Sequence, residues 1–430
     1  MSAMGRRPLV YDLTRTFVGP LFATPRGVDR VELLLARHFS QDSRRNFFGI
    51  LPTPWGMRLY EADRVQRGLA RLEELWAETT EPADDLAYQN LVGALAGRGS
   101  NGPGKPRKAL SGVRKGQRMA SLLAATGFSF GRSAIASIPE NAIYLNVGQY
   151  TIAIPQFMAW LNKRRDVKPA LMLHDTIPLY EPELVSHNSA RTHATMVRSV
   201  ARYGAGLIVT TAHARETILS ALAAVGRSGI RTLSVALPLA EAFDSAAKPE
   251  PLLENVPYFV VCGAVEPRKN HLLLYNVWRL LCASPESAPH LLVVGSPGWR
   301  GQSILDRMLR CPATRGKIHH VAGLSTQAMK SLIAGSLGLL SPSLAEGFGL
   351  PIIEALHLGA PVVASDIPAH REVAGDNATL LDPTDEPAWR SAISALNSDQ
   401  SRRRTPRSAT DASRERAAFL NAIGDFLEAI

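Results

Sequence analysis

Cysteine is scarce in this sequence, with 3 residues among 430, at positions 262, 282 and 311. Their spacing fits neither a disulfide framework nor a zinc site. No run of about 18 apolar residues occurs, so a membrane-spanning helix is not expected. The opening residues, MSAMGRRPLVYDL, lack the apolar region and small-residue cleavage site of a signal peptide. Together these absences predict a reduced, cytoplasmic protein.

Several motifs of cofactor and metal chemistry are also missing. The sequence contains no Asp-x-Asp pair, no metal-like spacing of His and Cys, and no G-x-x-x-x-G-K-[ST] phosphate loop. No G-x-G-x-x-G motif follows a predicted strand, which disfavours a nicotinamide cofactor. We therefore predict a protein with no metal centre and no bound cofactor.

Basic residues exceed acidic ones, 48 to 38, so the formal net charge is +10. An excess of this kind favours an anionic partner: nucleic acid, a membrane surface or a phosphorylated substrate. Residues 97–118 contain seven basic residues and no acidic one, and a second basic run, SRRRTPR, begins at Ser401. Solvated flexible segments would explain both runs equally well, so the two interpretations stay open.

The length of the chain favours two domains. From Pro257 onward, apolar strand-like runs alternate with helical patterns; the predicted strands are YFVVCGAV, HLLVVGS, KIHHVAG, GLLSPS and PVVASDI. Regular alternation predicts right-handed crossovers and a parallel sheet covered on both faces. The first half shows the same rhythm less regularly, with strands predicted at LVYDL, NFFGIL, IYLNVG, ALMLHDTI and GLIVTT.

The predicted fold class is therefore α/β, with two doubly wound, Rossmann-like domains that face a central cleft. The predicted segments are a first domain at 1–240 with a basic insertion at about 97–133, a linker at 241–256, a second domain at 257–405, and a C-terminal helix at 406–430 that packs back on the first domain. Ligands are expected in the cleft, because the carboxyl ends of the strands bring loops and helix N-termini together there.

The stretch EGFGLPIIEALHLG, residues 346–359, carries the strongest chemical signal. A helix is predicted to begin at Leu350 or Pro351, since proline suits the first helical turn. The amides at the helix start and the positive end of its dipole predict an anion site. Gly347 and Gly349 would let the backbone approach a ligand closely.

Two carboxylates flank this anion site. Glu346, at the end of a predicted strand, has no evident structural partner, and a sugar hydroxyl would account for it. Glu354 would accept hydrogen bonds from vicinal hydroxyls such as those of a ribose, or would complement the dipole of the helix start. Both interpretations of Glu354 remain open.

A second strand–loop–helix stretch, CGAVEPRKNHLLL, places Arg268 and Lys269 at the end of a loop. Two adjacent cations would neutralise a diphosphate, although a solvated basic pair is the simpler alternative. In the first half, His174 and Asp175 end the strand ALMLHDTI, and the histidine is either structural or catalytic. Gly27, in TPRGVDRVE, is a further candidate for close approach of the backbone to a ligand.

These stretches resemble the group 1 (family 4) retaining glycosyltransferases of GT-B fold. SPSLAEGFGLPIIEALHLGAPVVASDIPAHREVAGDNATLLDP resembles the donor-binding signature of that family, VAGLSTQAMKSLIAGS the segment before it, and GAVEPRKNHLLL its phosphate-binding loop. HDTIPLYEPE and TPRGVDRVE resemble a polysaccharide-assembling branch that is often mannosyltransferase-like. The resemblance covers residues 257–383 firmly and the first half thinly.

The resemblance implies roles for individual residues. Glu346 would hold the hydroxyls of the donor sugar and Glu354 the nucleotide ribose; Phe348, Gly349 and Leu350 would offer amides to sugar and phosphate; Lys269 and Arg268 would grip the diphosphate; His174 would lie near the transferred sugar; and Gly323 would mark the region of the base. This chain has Ala264 where many members carry an arginine after the glycine matching Gly263. Only Gly27 remains near the position of a glycine pair common in the family.

The expected function is metal-independent transfer of a sugar from a nucleotide diphosphate donor, with retention, to a glycan or a lipid-linked glycan. GDP-mannose is the first guess for the donor, and UDP-sugars remain open. The basic insertion and the MASLLAATGFSF segment after it are expected to contact the anionic inner face of the membrane. The alternatives are a catalytically silent GT-B scaffold or, on charge alone, a nucleic-acid-binding protein; no nucleic-acid partner is expected, since basic and aromatic residues are not interleaved.

Overall fold

The structure, a computed structural model, describes residues 6–19, 25, 27–76, 81–98, 112–127, 130–284, 288–399 and 406–430. Its strands form two separate sheets. In chain order the strands are β1 Leu9–Asp12, β2 Phe47–Thr53, β3 Gly56–Glu61, β4 Arg132–Ser133, β5 Ile143–Asn146, β6 Lys168–Met172, β7 Gly206–Val209, β8 Arg231–Ser234, β9 Tyr258–Cys262, β10 His290–Val294, β11 Ile318–Val321, β12 Gly338–Ser341, β13 Val362–Ser365 and β14 Thr379–Leu381.

Helices cover the faces of these sheets. They are α1 Thr14–Val18, α2 Gly27–Gln41, α3 Ala62–Trp76, α4 Leu86–Leu95, α5 Gly112–Ala125, α6 Ala134–Ser137, α7 Pro155–Met158, α8 Ile177–Tyr180, α9 His187–Tyr203, α10 Ala212–Ala224, α11 His271–Leu281, α12 Gly301–Arg310, α13 Thr326–Gly335, α14 Leu350–His357, α15 Pro368–Ala374, α16 Glu386–Ser398 and α17 Ala409–Ala429. None of these helices combines the length and the apolar composition that crossing a bilayer requires.

The first sheet has the strand order β4-β3-β2-β1-β5-β6-β7-β8. Strand β3 is antiparallel to both of its neighbours, and the remaining pairs are parallel. The central strands β1 and β5 are buried at every position, which agrees with their apolar sequences LVYD and IYLN. Strands β3, β4 and β8 were not predicted, because their short, partly exposed sequences lack the continuous apolar run of a buried strand.

The second sheet is parallel throughout, in the order β11-β10-β9-β12-β13-β14. Its strands thus follow the 3-2-1-4-5-6 order of a doubly wound Rossmann sheet. The chain reverses its direction of winding between β9 and β12, so the loops after these two strands diverge and leave a crevice. Those loops carry Gly263 and Glu346 respectively. The edge strand β14 was not predicted.

Helix α4 lies in the first half of the sequence, but its apolar face belongs to the core of the second sheet. Tyr88, Leu91, Val92 and Leu95 pack in one cluster with residues such as Leu253, Tyr258 and Leu292. Asp85 caps α4 and also accepts a hydrogen bond of 2.7 Å from the amide of Ser325. The assignment of residues 1–240 to the first domain as one block is therefore wrong for α4, because burial of its apolar face outweighs its position in the sequence.

Helix α17 lies in the second half of the sequence, but its apolar face packs in the core of the first sheet. Phe419, Ile423, Phe426 and Leu427 pack in the core of the first sheet together with β1 and α2. The guanidinium of Arg416 binds the carboxylate of Asp244 and donates to the carbonyl of Leu239 at 3.1 Å, which fastens α17 to the connection between the two sheets. That connection, predicted as the linker, contains short 3-10 turns at Glu241–Phe243 and Pro251–Leu253.

Candidate functional site

A cavity of about 560 Å³ lies between the two sheets, at the carboxyl ends of their strands. This volume is within the range of about 300–1,000 Å³ that is common for small-molecule sites. The cavity brings together every residue that the sequence singled out: Gly27, His174 and Asp175 from the first half, and Gly263, Arg268, Lys269, Gly323, Glu346, Gly347, Phe348, Gly349, Leu350 and Glu354 from the second.

Glu346 is the centre of an ion-pair cluster in this cavity. Its carboxylate accepts hydrogen bonds from the Nζ of Lys269, from Arg268 Nη1 at 2.7 Å and from Ser343 Oγ at 2.7 Å. Burial alone would raise the pKa of Glu346, but Lys269 and Arg268 outweigh that effect and hold the pKa far below its usual range. The expectation that Glu346 has no structural partner is wrong, since it binds both predicted cations.

The loop after β9 supplies these cations. Arg268 also donates to the carbonyl of Ala345 at 2.7 Å and to Glu266 at 2.9 Å, so its guanidinium is fixed from three sides. Gly263 has a φ of 133°, and a Cβ there would lie 3.3 Å from the Cε of Lys269. Glycine thus gives the lysine side chain room against the backbone. Ala264 also lines the cavity, so two cations of this loop face it without an arginine at 264.

The start of α14 forms the floor of the cavity. The helix begins at Leu350, with Pro351 in its first turn, as the sequence predicted. Gly349 precedes it with a φ of 116°, a conformation that side chains rarely allow, and a Cβ at this position would lie 3.3 Å from the Cδ2 of His370. Within the described residues no hydrogen bond reaches the amides of Phe348, Gly349 or Leu350, so these donors remain available to a ligand.

Glu354 is buried one turn into α14 and binds a residue of the first half. Its Oε1 lies 3.4 Å from Arg30 Nη1, and Arg30 Nη2 donates to Thr326 Oγ1 at 2.9 Å. Sequence reasoning missed Arg30, the fourth residue of α2. A signal was available, since a cation near a helix start is electrostatically unfavourable without an anion.

His174 faces the cavity with a neutral ring. Burial, and then the charge of Arg15, lower the pKa of His174 to about 4, although the Val147 carbonyl favours the protonated form. No hydrogen bond of ordinary geometry reaches either ring nitrogen among the described residues, which leaves a buried polar group for a ligand to satisfy. Arg15 also lines the cavity, and its Nε lies 2.5 Å from Asp29 Oδ1. Sequence reasoning missed Arg15, because its partner Asp29 lies on a different helix, α2.

Asp175 and Gly27 mark contacts between the two halves. A Cβ on Gly347 would lie 3.1 Å from the Oδ2 of Asp175, and a Cβ on Gly27 would lie 2.2 Å from the Cδ1 of Leu350. The close approach that was expected at Gly27 is therefore made to α14 of the second half. In the described ranges, no three His, Cys, Asp or Glu side chains lie together as a metal-ligand set.

Comparison with protein families identifies the second half of the chain. The model of the family "Glycosyl transferases group 1" matches residues 243–413, which include the loops after β9 and β12. Residues 243–413 of the chain are thus similar to the group 1 glycosyltransferases. The two sheets and the cleft between them are those of the GT-B fold, which the motif resemblance had predicted.

Curated relatives that are similar to this chain include mannosyltransferases of bacteria. The serotype-specific mannosyltransferase WbdA of Escherichia coli is 27% identical over 220 residues, or 48% of this chain and 27% of WbdA. The O-antigen chain mannosyltransferase RfbU of Salmonella typhimurium is 34% identical over 143 residues, or 33% of this chain and 38% of RfbU. The chain therefore matches less than half of the length of each of these relatives.

Solved structures resemble the whole chain. A trehalose-6-phosphate structure from E. coli, bound with UDP-2-fluoro glucose, matches with a TM-score of 0.58 and 13% identity and covers 98% of this chain and 99% of its own. HepE of Anabaena, in complex with UDP, matches with a TM-score of 0.56 and 15% identity over 99% of this chain and 100% of its own. At such identities the likeness concerns the fold alone.

Proposed function

We propose that the protein transfers a hexose from a nucleotide diphosphate-sugar to a hydroxyl of a glycan, with retention at the anomeric carbon. One observation carries this proposal: Glu346 with its two cations, the open amides at the start of α14, and Glu354 line the same cavity. The amides and cations suit a diphosphate, and the two carboxylates suit the hydroxyls of sugar and ribose.

The chemistry requires stabilisation of a leaving diphosphate. The bond between the anomeric carbon and the phosphate oxygen breaks, and negative charge builds on that oxygen. Lys269, Arg268 and the amide of Gly349 would meet this charge where it develops. When the donor binds, the two cations would be shared between the diphosphate and Glu346, whose ionised carboxylate also accepts a hydroxyl of the sugar. These groups supply the electrostatic stabilisation in the proposed mechanism, which uses no metal ion.

The acceptor proton needs a destination. In the proposed reaction the acceptor oxygen attacks on the face that the leaving group vacates, and its proton passes to the departing phosphate oxygen. The new bond then has the configuration of the old one. His174 is neutral above about pH 4 and would orient a hydroxyl of the transferred sugar by hydrogen bonding rather than by charge.

We propose GDP-mannose as the donor, because the curated relatives in this comparison include mannosyltransferases. We propose a glycan or a lipid-linked glycan at the inner membrane face as the acceptor. Much of the basic segment expected to touch that membrane, residues 99–111, lies outside the described residues. In the following helix α5, Leu122 packs against α3 and is 5% exposed, so the apolar face of α5 points inward.

An exposed aromatic pair supports the membrane contact better than α5 does. Trp55 is 66% exposed and Phe130 is 73% exposed, with their rings edge to face at 5.7 Å. Aromatic side chains of this kind favour the interface of a bilayer, and the neighbouring Arg132 adds positive charge. Flotation with anionic vesicles should weaken when both aromatic residues become alanine, whereas Leu86→Ala, at a 79% exposed site, should have no effect.

The test of the proposed activity is a screen of nucleotides and nucleotide-sugars. We expect GDP and GDP-mannose to raise the Tm of the protein, and we expect transfer from GDP-mannose to persist in EDTA. Proton NMR of the product should show the anomeric configuration of the donor. An inverted product would refute retention, and nucleotide binding without transfer to any glycan would favour a silent scaffold. Stabilisation by DNA or RNA alone would overturn the proposal.

A further inference from the structure

The loop between β12 and α14, residues 342–349, is called the donor loop below. Residues of the first half of the protein hold it in place. The carbonyl oxygen of Gly347 accepts hydrogen bonds from Thr211 Oγ1 at 3.2 Å and from Thr210 Oγ1 at 3.4 Å. Both threonines follow β7 of the first sheet, and both are almost completely buried. Neither the sequence motifs nor the family match, which begins at residue 243, assigns a role to these two residues.

The direction of the Gly347 carbonyl sets the direction of the next amide. The described chain contains no cis peptide bond, so the carbonyl of Gly347 and the N–H of Phe348 point in opposite directions from one peptide plane. Since the carbonyl points toward the threonines, the Phe348 N–H points away from them, and no partner within the described residues takes it. If the peptide turned over, a carbonyl oxygen would replace this donor and would repel a diphosphate or the oxygens of a sugar.

A second contact holds the threonines themselves in place. Glu372, on α15 of the second half, accepts the amide of Ala212 at 2.8 and 3.0 Å, at the first residue of α10. Thr211 Oγ1 caps the same helix by accepting from the amide of Ala214 at 3.0 Å. The start of α10 is thus satisfied by one residue from each half, and a separation of the halves would break the contacts to Gly347 and Glu372 together.

The contact at Gly347 leaves no room for a larger residue. A Cβ on Gly347 would lie 2.9 Å from the carbonyl oxygen of His174. The donor loop therefore touches the first half on two sides, at the ends of β6 and β7. The peptide that follows Glu346 cannot move independently of the first sheet while these contacts are made.

We infer that Thr210 and Thr211 are positioning residues, which turn the Gly347–Phe348 peptide so that its N–H faces the donor. They do so only when the two halves are closed, and Glu372 helps to hold that closure. The donor site would thus be complete only in the closed protein. This inference rests on the proposed function for its catalytic consequence, but the contact between the halves exists without a donor.

The kinetic test compares Thr211→Val with Thr211→Ser and with a matched loss of a helix cap elsewhere. Asp385 caps α16 at the outer edge of the second sheet by accepting from Ala388 at 3.0 Å. We expect T211V to lower kcat by about 10- to 100-fold, with a smaller change in donor KM, because the misplaced amide would act mainly on developing charge. T211S, which keeps the hydroxyl, should have a kcat near that of the wild type. D385A should lower the Tm and leave kcat near that of the wild type.

A wild-type kcat in T211V would overturn the inference. Thr210→Val, which removes no helix cap, should lower kcat by a smaller factor than T211V does. If kcat were that of the wild type in both variants, neither hydroxyl would have the inferred role.

A structural test separates this inference from the proposed function. We expect small-angle scattering to give a larger radius of gyration for Glu372→Ala and for T211V than for wild type and D385A. Unchanged scattering in both variants would refute the coupling to closure. If the wild-type protein transferred no sugar while the variants opened, the proposed function would fail and the contact would stand.

Discussion

The guanidinium of Arg30 joins the two halves of the protein at Glu354, with Nη1 3.4 Å from Oε1. Both side chains are largely buried, at 14% and 8% exposure, and Arg30 also reaches Thr326. The carboxylate that is proposed to bind the donor ribose is thus already fixed by a residue 324 positions away. Removing one partner of a buried ion pair destabilises a protein, because the remaining buried charge loses compensation.

Replacing Arg30 by alanine should therefore destabilise the protein by roughly 1–3 kcal/mol. Urea unfolding would measure the change. The double variant R30A/E354Q should lose less stability than the sum of the single variants, because the interaction between the two side chains is lost only once. Strict additivity would show that the two side chains do not interact. Arg67→Ala, at the exposed pair with Asp63, serves as a control that should change stability by less than about 1 kcal/mol.

Replacing Glu346 by glutamine should abolish most of the turnover while the fold remains. We expect kcat to fall by about 100-fold or more, since the amide loses the negative charge that orients Lys269 and Arg268 and replaces one acceptor oxygen by a donor group. Circular dichroism should be that of the wild type. Turnover within a factor of 2 of the wild type (about 0.4 kcal/mol) would remove Glu346 from the mechanism.

Acid should destabilise the protein partly through His174. Burial lowers its pKa from 6.5 to about 4, so between these values the unfolded state binds a proton that the native state does not. Stability contributed by the neutral ring is therefore present above pH 6.5 and is lost as the pH falls toward 4. His174→Asn should lose less stability than the wild type across this window, by on the order of 2 kcal/mol. Parallel pH profiles of the two proteins would contradict the prediction.

Truncation of α4 should weaken the second sheet rather than the first. Leu91 is 7% exposed in the core that contains Tyr258 and Leu292, and Leu91→Ala should cost about 2–4 kcal/mol. Hydrogen exchange should speed up in β9 and β10 while β1 and β5 keep their protection. Leu69→Ala on α3, in the first core, should give the opposite pattern. Equal acceleration in both sheets would mean that the two cores unfold as one unit.

The sequence predicted the loops of the second half well because each follows a buried strand and carries its own turn signals. Gly263, Gly349 and Pro351 sit at positions where backbone conformation restricts the residue type, so their roles can be inferred locally. The ion pairs of Glu346 were within reach too, since Arg268 and Lys269 belong to the other recognised loop. Glu346 was expected to have no structural partner only because its loop and the loop of Arg268 and Lys269 were considered separately.

The contacts that the sequence did not predict connect distant parts of the chain. Thr211 has the pattern of an ordinary helix cap, and nothing near it in sequence indicates that it also binds Gly347. The apolar pattern of α4 predicts a buried face but does not say which sheet will bury it. Which partner a side chain binds and which sheet covers a helix depend on the packing of the whole molecule. The local periods of 3.6 and 2 residues carry no information about these partners.

Helix α4 packs on the second sheet and helix α17 on the first, which constrains how this protein could be recombined with another protein of the same fold. A chimera joined in the connection at residues 241–256 would place a foreign α4 on the native second core and a native α17 on the foreign first core. An exchange of halves that keeps both cores intact would therefore require α4 to be transferred with the second half and α17 with the first.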